Sequence, residues 1–177
     1  QLSITFMKKS LEIDEKMLNY NHPDIASSYN NISLIYQGLK ESDIALEYIN
    51  KSIKIREKIL DKYHPSLASS YGNISTFYRD LKKLKEALSY SKKSLVIFEN
   101  ILDKKHPNLA TCYNNIAHMY KDLKECKKAK EYMEKAKNIF SLYEYKKNET
   151  IEANRFIKKI EQNLKLNYQK RGKFCKD

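Results

Sequence analysis

The stretch HPDIASSYNNISLIY, residues 22–36, returns as HPSLASSYGNISTFY at residues 64–78 and as HPNLATCYNNIAHMY at residues 106–120. The copies begin 42 residues apart, and the flanking sequence keeps the same register. For example, lysine recurs at the same position of the repeat, at Lys9, Lys51, Lys93 and Lys135. A fixed period of this size indicates a repeat architecture, in which each unit buries its apolar face against its neighbours.

Each repeat predicts two amphipathic helices joined by a short turn. In the first helix Tyr29, Ile32 and Tyr36 share one face, at the spacing of a buried helical stripe. The second helix carries Ala45 and Ser52, small residues that let two backbones approach closely. Only three glycines and three prolines interrupt 177 residues, so we expect long helices and no strands.

Several of these positions resemble the tetratricopeptide repeat. They are the small residue in the first helix (Ser33, Ser75, Ala117), the aromatic three places on (Tyr36, Tyr78, Tyr120), and the alanine opening the second helix (Ala45, Ala87, Ala129). The 42-residue length and the His-Pro start are similar to the subtype found in kinesin light chains. This resemblance implies an all-α fold, a right-handed α-solenoid of antiparallel helix pairs with a C-terminal capping helix. The turn departs from the usual pattern, since lysine follows Leu39, Leu81 and Leu123 where glycine is common.

The register predicts the following organisation. Residues 1–21 form the second helix of an incomplete leading repeat, residues 22–63, 64–105 and 106–147 are three repeats, 148–168 is a capping helix, and 169–177 is a basic tail. Ile151, Ile157, Ile160 and Leu164 form the apolar stripe of the cap. The chain opens on Gln1 within a helical pattern, so we interpret it as a module of a larger protein.

The composition narrows the function classes. The net charge of +12 favours acidic peptides, anionic membranes or nucleic acid as encounter partners. No long apolar run predicts a transmembrane segment, and three cysteines without metal or redox spacing predict a reducing, cytoplasmic location. A glycine-rich phosphate loop, a catalytic triad and a metal motif are all missing from the sequence. We therefore expect a protein that is not an enzyme and uses no cofactor or metal.

His22, His64 and His106 precede prolines at the predicted helix starts. Proline fits the first helical turn, and the side chains of Asp24, Ser66 and Asn108 are expected to accept hydrogen bonds from free backbone N–H groups there. A shared zinc site is the alternative. We set it aside because packed helices are displaced by about 8–10 Å, far beyond a ligand distance of about 2 Å.

The asparagines of the first helices suggest a binding surface. Asn31 lies opposite the Tyr29–Tyr36 stripe, and Asn73 and Asn115 repeat it. The resemblance implies that first helices line a concave groove, and amides suit an extended peptide backbone. The alternative is that these asparagines bond neighbouring helices together. The predicted groove residues are Ser27, Asn31, Gln37, Ser69, Asn73, Thr76, Arg79, Thr111, Asn115, His118 and Lys121.

The preferred interpretation is a protein-interaction scaffold that binds a peptide or partner segment, including acidic segments, in this groove. The alternatives are a basic nucleic-acid-binding repeat and a spacer or oligomerising array. Nucleic acid is disfavoured because tyrosines on the apolar stripe would be buried and could not stack on bases. Apolar residues of the leading helix also predict self-association through the N-terminal edge, since a covering helix is missing. They are Leu2, Phe6, Leu11, Ile13 and Leu18.

Overall fold

The computed structural model describes residues 2–170, which form eight α-helices, one short 3-10 helix and no strand. The all-α prediction is confirmed. The helices are α1 (Leu2–Met17), α2 (Pro23–Gly38), α3 (Ser42–Ile59), α4 (Pro65–Asp80), α5 (Leu84–Ile101), α6 (Pro107–Asp122), α7 (Cys126–Phe140) and α8 (Lys147–Lys170), with the 3-10 helix at Glu144–Lys146.

The chain divides into two compact units, and the division falls between Ile97 and Phe98, within α5. In the first unit α1 packs on α2, α2 on α3, and α3 on α4. In the second unit α6 packs on α7, and α7 packs on α8. Only residues 39–41 separate α2 from α3, and so short a connection makes the two helices run antiparallel.

The three His-Pro pairs begin α2, α4 and α6, as the sequence predicts, but the capping atom is different from the expected one. The imidazole Nδ1 of His64 accepts a hydrogen bond from the backbone N–H of Ser66 at 3.1 Å. His22 and His106 do the same for α2 and α6. The prediction that the Asp24, Ser66 and Asn108 side chains serve as acceptors was wrong, because the ring two residues earlier already reaches these donors.

Each first helix ends in a turn that places a lysine in the left-handed region. Lys40, Lys82 and Lys124 have φ of 62°, 59° and 64°. Around Lys40 the backbone N–H of Glu41 donates to Tyr36 O at 2.9 Å, and that of Lys40 donates to Gln37 O at 2.9 Å. This is the Schellman pattern, in which glycine normally occupies the left-handed position. The same bonds recur around Lys82 and Lys124.

Small residues bring the two helices of a pair close together. Ser52 of α3 is fully buried, and its hydroxyl donates to the backbone carbonyl of Ala26 in α2 at 2.6 Å. Ser94 of α5 donates to Ala68 O in α4 at 2.8 Å. A larger side chain would leave no room for these contacts, which explains why the three repeats have only small residues at this position: Ser52, Ser94 and Ala136.

The tyrosines form one cluster per helix pair. In the first pair Tyr48 stacks on Tyr36 at 5.6 Å between ring centroids and lies 6.0 Å from Tyr29. Tyr29 and Tyr36 are buried, so these rings belong to the protein interior as expected. Equivalent clusters form around Tyr90 and Tyr132.

The terminal helices differ in how they bury their apolar residues. In α8 the buried residues are Ala153, Ile157 and Ile160, whereas Ile151, which was assigned to the stripe, is 40% exposed. In α1 Leu11 is buried, but Phe6 and Ile13 remain exposed. Residues 171–177 of the predicted basic tail lie outside the described residues. Within residues 2–170 no helix is both long and apolar enough to cross a membrane.

Candidate functional site

The exposed polar side chains of α2 and α4 form a continuous surface in the first unit, which we call the amide face. Ser27, Asn31 and Ser69 are solvent-exposed, and the other members are half-buried. The amide face consists of Ser27, Asn31, Gln37, Ser69, Asn73, Thr76 and Arg79. These residues point away from the interior because the opposite sides of both helices carry the buried stripe.

One asparagine of the amide face joins the two helices. The side-chain Nδ2 of Asn73 in α4 donates to Oδ1 of Asn30 in α2 at 3.0 Å. The structure therefore pairs Asn73 with Asn30, a residue that was not among the predicted site residues, rather than with Asn31. An amide has two donor hydrogens and an acceptor oxygen, so Asn73 keeps one donor and its oxygen for a ligand. The Asn73 side chain therefore links α2 to α4 and still has hydrogen-bonding capacity.

Asn31 is the most accessible amide of this surface. Within residues 2–170 its side chain makes no hydrogen bond, and it is solvent-exposed. The hydroxyls behave differently. Ser27 Oγ donates to Pro23 O at 3.0 Å and Ser69 Oγ to Pro65 O at 3.2 Å, bonds within their own helices that leave the hydroxyl oxygens able to accept.

Arg56 of α3 adds a positive charge near the start of α2 and α4. Its Nη1 donates to Ser66 O at 3.1 Å and to Ser70 Oγ at 2.5 Å, and its Nη2 lies 3.5 Å from Ser27 Oγ. Burial lowers the pKa of the Arg56 guanidinium, which nevertheless stays charged. Among residues 2–170 no carboxylate pairs with it. A half-buried guanidinium without a carboxylate is costly, and a ligand carboxylate would relieve that cost.

Arg56 is not among the predicted site residues, because the prediction for the second helices rested on their apolar positions alone. The signal was present, however, since phenylalanine occupies the equivalent positions Phe98 and Phe140 of the following repeats. An arginine that replaces phenylalanine at a regular position indicates a local polar requirement.

The opposite end of the amide face has more carboxylates than cations. Gln37 Nε2 donates to Asp80 Oδ2 at 3.0 Å, which links the last turns of α2 and α4. A depression of about 950 Å³ adjoins this pair, and Leu34, Glu41 and Asp43 contribute to its lining. The cations at this end are Arg79, in the last turn of α4, and Lys40. The amide face thus runs from a guanidinium at the helix starts to a surplus of carboxylates at the helix ends.

The second unit carries the remaining predicted residues on α6. Thr111 and Asn115 are exposed, and Thr111 Oγ1 donates to Pro107 O at 3.2 Å. His118 and Lys121 both contact Phe156 of α8: the His118 ring lies 4.8 Å from the Phe156 ring, and Lys121 Nζ lies 5.4 Å from its centroid. The last turns of α6 are therefore in contact with α8, a neighbour that the sequence did not predict for these two residues.

Among residues 2–170, no three His, Cys, Asp or Glu side chains lie close enough together to hold a metal ion. What the amide face offers is hydrogen bonding and charge. Amide, hydroxyl and guanidinium groups can together bind the backbone and the carboxylates of an extended peptide.

The sequence profile of the family described as tetratricopeptide repeat matches residues 1–58 and 66–141. Among curated proteins, the clustered mitochondria protein of Arabidopsis thaliana is 46% identical over 39 residues, which is 22% of this chain. The chain spans only 3% of the length of that relative.

Solved structures show the same fold at low identity. The repeats of a putative kinesin light chain from Podosopora anserina, described as nearly identical TPR-like repeats, are 19% identical with a TM-score of 0.77, over 97% of this chain and 89% of that chain. The first TPR of Spaghetti (RPAP3), bound to the HSP90 peptide SRMEEVD, is 19% identical with a TM-score of 0.59, over 81% of this chain and 95% of that chain.

Proposed function

This chain belongs to the tetratricopeptide repeat family, and from that premise we propose that it is a protein-interaction scaffold that binds an extended partner segment along the amide face. The observation that carries the proposal is the uncompensated guanidinium of Arg56 beside exposed amide and hydroxyl groups. Binding of this kind requires no catalytic group, cofactor or metal. We further propose that it acts in the cytoplasm.

The different charges at the two ends of the amide face favour one orientation of the bound segment. From Ser27 to Gln37 the face extends about 15 Å along α2, at about 1.5 Å per residue. An extended peptide covers that length with four or five residues, at about 3.3 Å per residue. An acidic part of the segment would lie beside Arg56, and an apolar or basic residue would lie toward Asp80 and Glu41. The peptide SRMEEVD, bound by the Spaghetti domain, has such a mixture of charges.

In the second unit we propose Thr111, Asn115, His118 and Lys121 of α6 as a separate, smaller contact surface. The contacts of Phe156 with His118 and Lys121 limit what these two residues can offer, so Thr111 and Asn115 are the stronger candidates. We further propose self-association through the exposed apolar residues of α1, with Phe6 and Ile13 as the contacts.

The proposal is tested by the affinity of the chain for labelled SRMEEVD, measured by fluorescence anisotropy. Asn31→Leu should weaken binding by about 1–2 kcal/mol, the cost of leaving peptide polar groups unpaired, with no loss of thermal stability because Asn31 is exposed. Arg56→Gln should weaken it further. Leu142→Ala, at an exposed leucine of the second unit, is the control, and its affinity should equal that of the unsubstituted chain.

The rival functions give different results in the same assay. A nucleic-acid-binding repeat would bind single-stranded RNA with an affinity that falls linearly with the logarithm of salt concentration, and Asn31→Leu would not change it. A pure spacer would bind neither peptide nor RNA. Either outcome would refute peptide recognition on the amide face.

A further inference from the structure

A second surface of the first unit, separate from the amide face, has an unusual set of side chains. It is a depression of about 460 Å³ between the turn that follows α3 and the exposed side of α5. Lys62, Tyr63, Tyr71, Lys93 and Val96 contribute to its lining. It shares no residue with the amide face, so a ligand here would make contacts that the function proposed above does not use.

Lys93 lies on α5, the second helix of its repeat. The equivalent position is also lysine in the other two repeats, at Lys51 and Lys135. The lysine ammonium group lies over two tyrosine rings in each case: Lys51 over Tyr29 and Tyr48 at 5.7 and 5.3 Å, Lys93 over Tyr71 and Tyr90 at 5.3 and 5.1 Å, and Lys135 over Tyr113 and Tyr132 at 5.8 and 5.1 Å. The rings hold the ammonium group at the surface in the same way each time. The three positions can therefore be compared directly.

The middle repeat lacks the carboxylate that neutralises this lysine elsewhere. Lys51 pairs with Glu47 at 2.7 Å, and Lys135 pairs with Glu131 at 3.1 Å, both one helical turn earlier. The position one turn before Lys93 is Ser89. Because serine carries no charge, Lys93 has no carboxylate one turn earlier in its own helix.

The residue three positions after Lys93 also differs from its equivalents in the other repeats. Val96, which is 50% exposed, stands where the neighbouring repeats have Lys54 and Asn138. An apolar side chain replaces polar ones and enlarges the apolar floor of the depression. Lys62 Nζ lies 4.8 Å from the centroid of the Tyr63 ring, which adds an ammonium group and an aromatic surface at the edge.

One carboxylate, that of Glu57, lies beside Tyr71 in this depression. Glu57 accepts a hydrogen bond from Tyr71 Oη at 2.6 Å. Its equivalents Glu15 and Glu99 accept from Tyr29 and Tyr113, so this acid is common to all three repeats. What distinguishes the middle repeat is a surplus of ammonium groups over carboxylates around an exposed apolar floor.

We propose that this depression binds an acidic segment of a partner protein, whose carboxylates lie at Lys93 and Lys62 while a neighbouring apolar side chain packs on Val96 and Tyr63. Charge complementarity supplies the first contact, and burial of the exposed valine and ring supplies the second. The floor favours a peptide over a phosphate group, which has no apolar part to bury. The lining also contains no arginine, the side chain best suited to bidentate phosphate binding.

The test uses the acetylated and amidated hexapeptide EDFEDF, with QNFQNF as the uncharged match, and maps binding to the full chain by amide chemical shifts. EDFEDF should shift the amides of Lys62, Lys93 and Val96, and QNFQNF should not. Ser89→Glu restores the pairing of the other repeats and should weaken EDFEDF roughly two- to fivefold, as should Lys93→Gln, about the effect of one exposed ion pair. Lys135→Gln, at the equivalent position of the third repeat, should leave the affinity unchanged.

Circular dichroism verifies the fold of each variant, and all the substituted side chains are exposed. The proposal is overturned if Ser89→Glu binds EDFEDF as tightly as the unsubstituted chain, if QNFQNF binds equally well, or if the shifts fall on other surfaces. Competition with decathymidylate separates the phosphate alternative. Displacement of EDFEDF from these amides by less oligonucleotide than peptide would show a phosphate site and would also overturn the proposal.

Discussion

At the scale of single residues, a tyrosine hydroxyl connects each first helix to the helix before it. Tyr71 Oη in α4 donates to Glu57 Oε1 in α3 at 2.6 Å, and Tyr113 donates to Glu99 at 2.7 Å. Burial raises the pKa of the Tyr71 hydroxyl, and the hydrogen bond to Glu57 raises it further. The protonated tyrosine is thus the form that the folded state stabilises.

Tyr71→Phe should lower the free energy of unfolding by about 1 kcal/mol, the net value of a hydrogen bond to a charged group that is partly exposed. Urea denaturation measures it. Tyr63→Phe is the matched control, because within the described residues the Tyr63 hydroxyl makes no hydrogen bond. An equal loss in both variants would show that the hydroxyl of Tyr71 contributes nothing specific.

The same bond predicts a pH dependence. A raised pKa in the folded state means that the contribution of Tyr71 is complete below the unfolded pKa of about 10 and is lost as the pH rises above it. The stability difference between the unsubstituted chain and Tyr71→Phe should therefore shrink above about pH 10. A difference that grows over this range in urea denaturation would contradict the assignment.

Residue-level prediction succeeded where the repeat supplied three examples and failed where one position acted alone. The His-Pro pairs identified the helix starts, but the imidazole acceptor depends on a local ring orientation that the sequence does not specify. Asn30 was not predicted because it makes its contact in one repeat only. Arg56 was detectable, as the exception to Phe98 and Phe140 at its position in the repeat. The predicted groove residues themselves stay a prediction.

At the scale of the helix, the turn between paired helices stores a small amount of backbone strain. Lys82 has a φ of 59°, a conformation that costs a residue with a Cβ roughly 1 kcal/mol relative to glycine. The sequence showed lysine here in place of the common glycine. The structure explains how the turn tolerates it, because two backbone hydrogen bonds around Lys82 fix the conformation.

Lys82→Gly should raise the free energy of unfolding by about 0.5–1 kcal/mol, since relief of the left-handed strain exceeds the added flexibility of the unfolded chain. Lys82→Ala keeps the Cβ and removes the same charge, so it should bring no such gain. Urea denaturation of both variants provides the measurement. A gain in Lys82→Ala as large as in Lys82→Gly would show that charge, not backbone conformation, limits the stability of the turn.

Helix boundaries followed the sequence wherever the 42-residue period applied. The prolines at 23, 65 and 107 open α2, α4 and α6 as expected. In α8 no second copy was available for comparison, and the predicted stripe included Ile151 although the buried residues are Ala153, Ile157 and Ile160. Small alanines in a charged helix give a weak periodic signal, which explains why Ala153 was overlooked.

At the scale of the whole molecule, the net charge says less about where a partner binds than the positions of the individual charges do. The value of +12 predicts an attraction for acidic partners but does not locate it. Within the first unit the amide face has Arg56 at one end and Asp80 beside Arg79 at the other, so its two ends differ in net charge. Such local arrangements depend on which helices become neighbours, and composition does not contain that information.

The exposed apolar side chains of α1 predict concentration-dependent self-association. Phe6 is 65% exposed and Ile13 is 60% exposed, and burying both in a contact between copies would be favourable. Sedimentation equilibrium should show association that Phe6→Glu with Ile13→Glu abolishes. Leu39→Glu, at an exposed leucine in the turn after α2, is the control and should associate normally. A strict monomer at high concentration would refute this.

Amide chemical-shift mapping of the full chain with SRMEEVD is the sharpest test of whether the amide face receives a partner segment. We expect the largest changes at Ser27, Asn31 and Ser69, and we expect Asn31→Leu to reduce them at equal peptide concentration. Changes confined to Lys62, Lys93 and Val96, or the absence of any change at millimolar peptide, would contradict it.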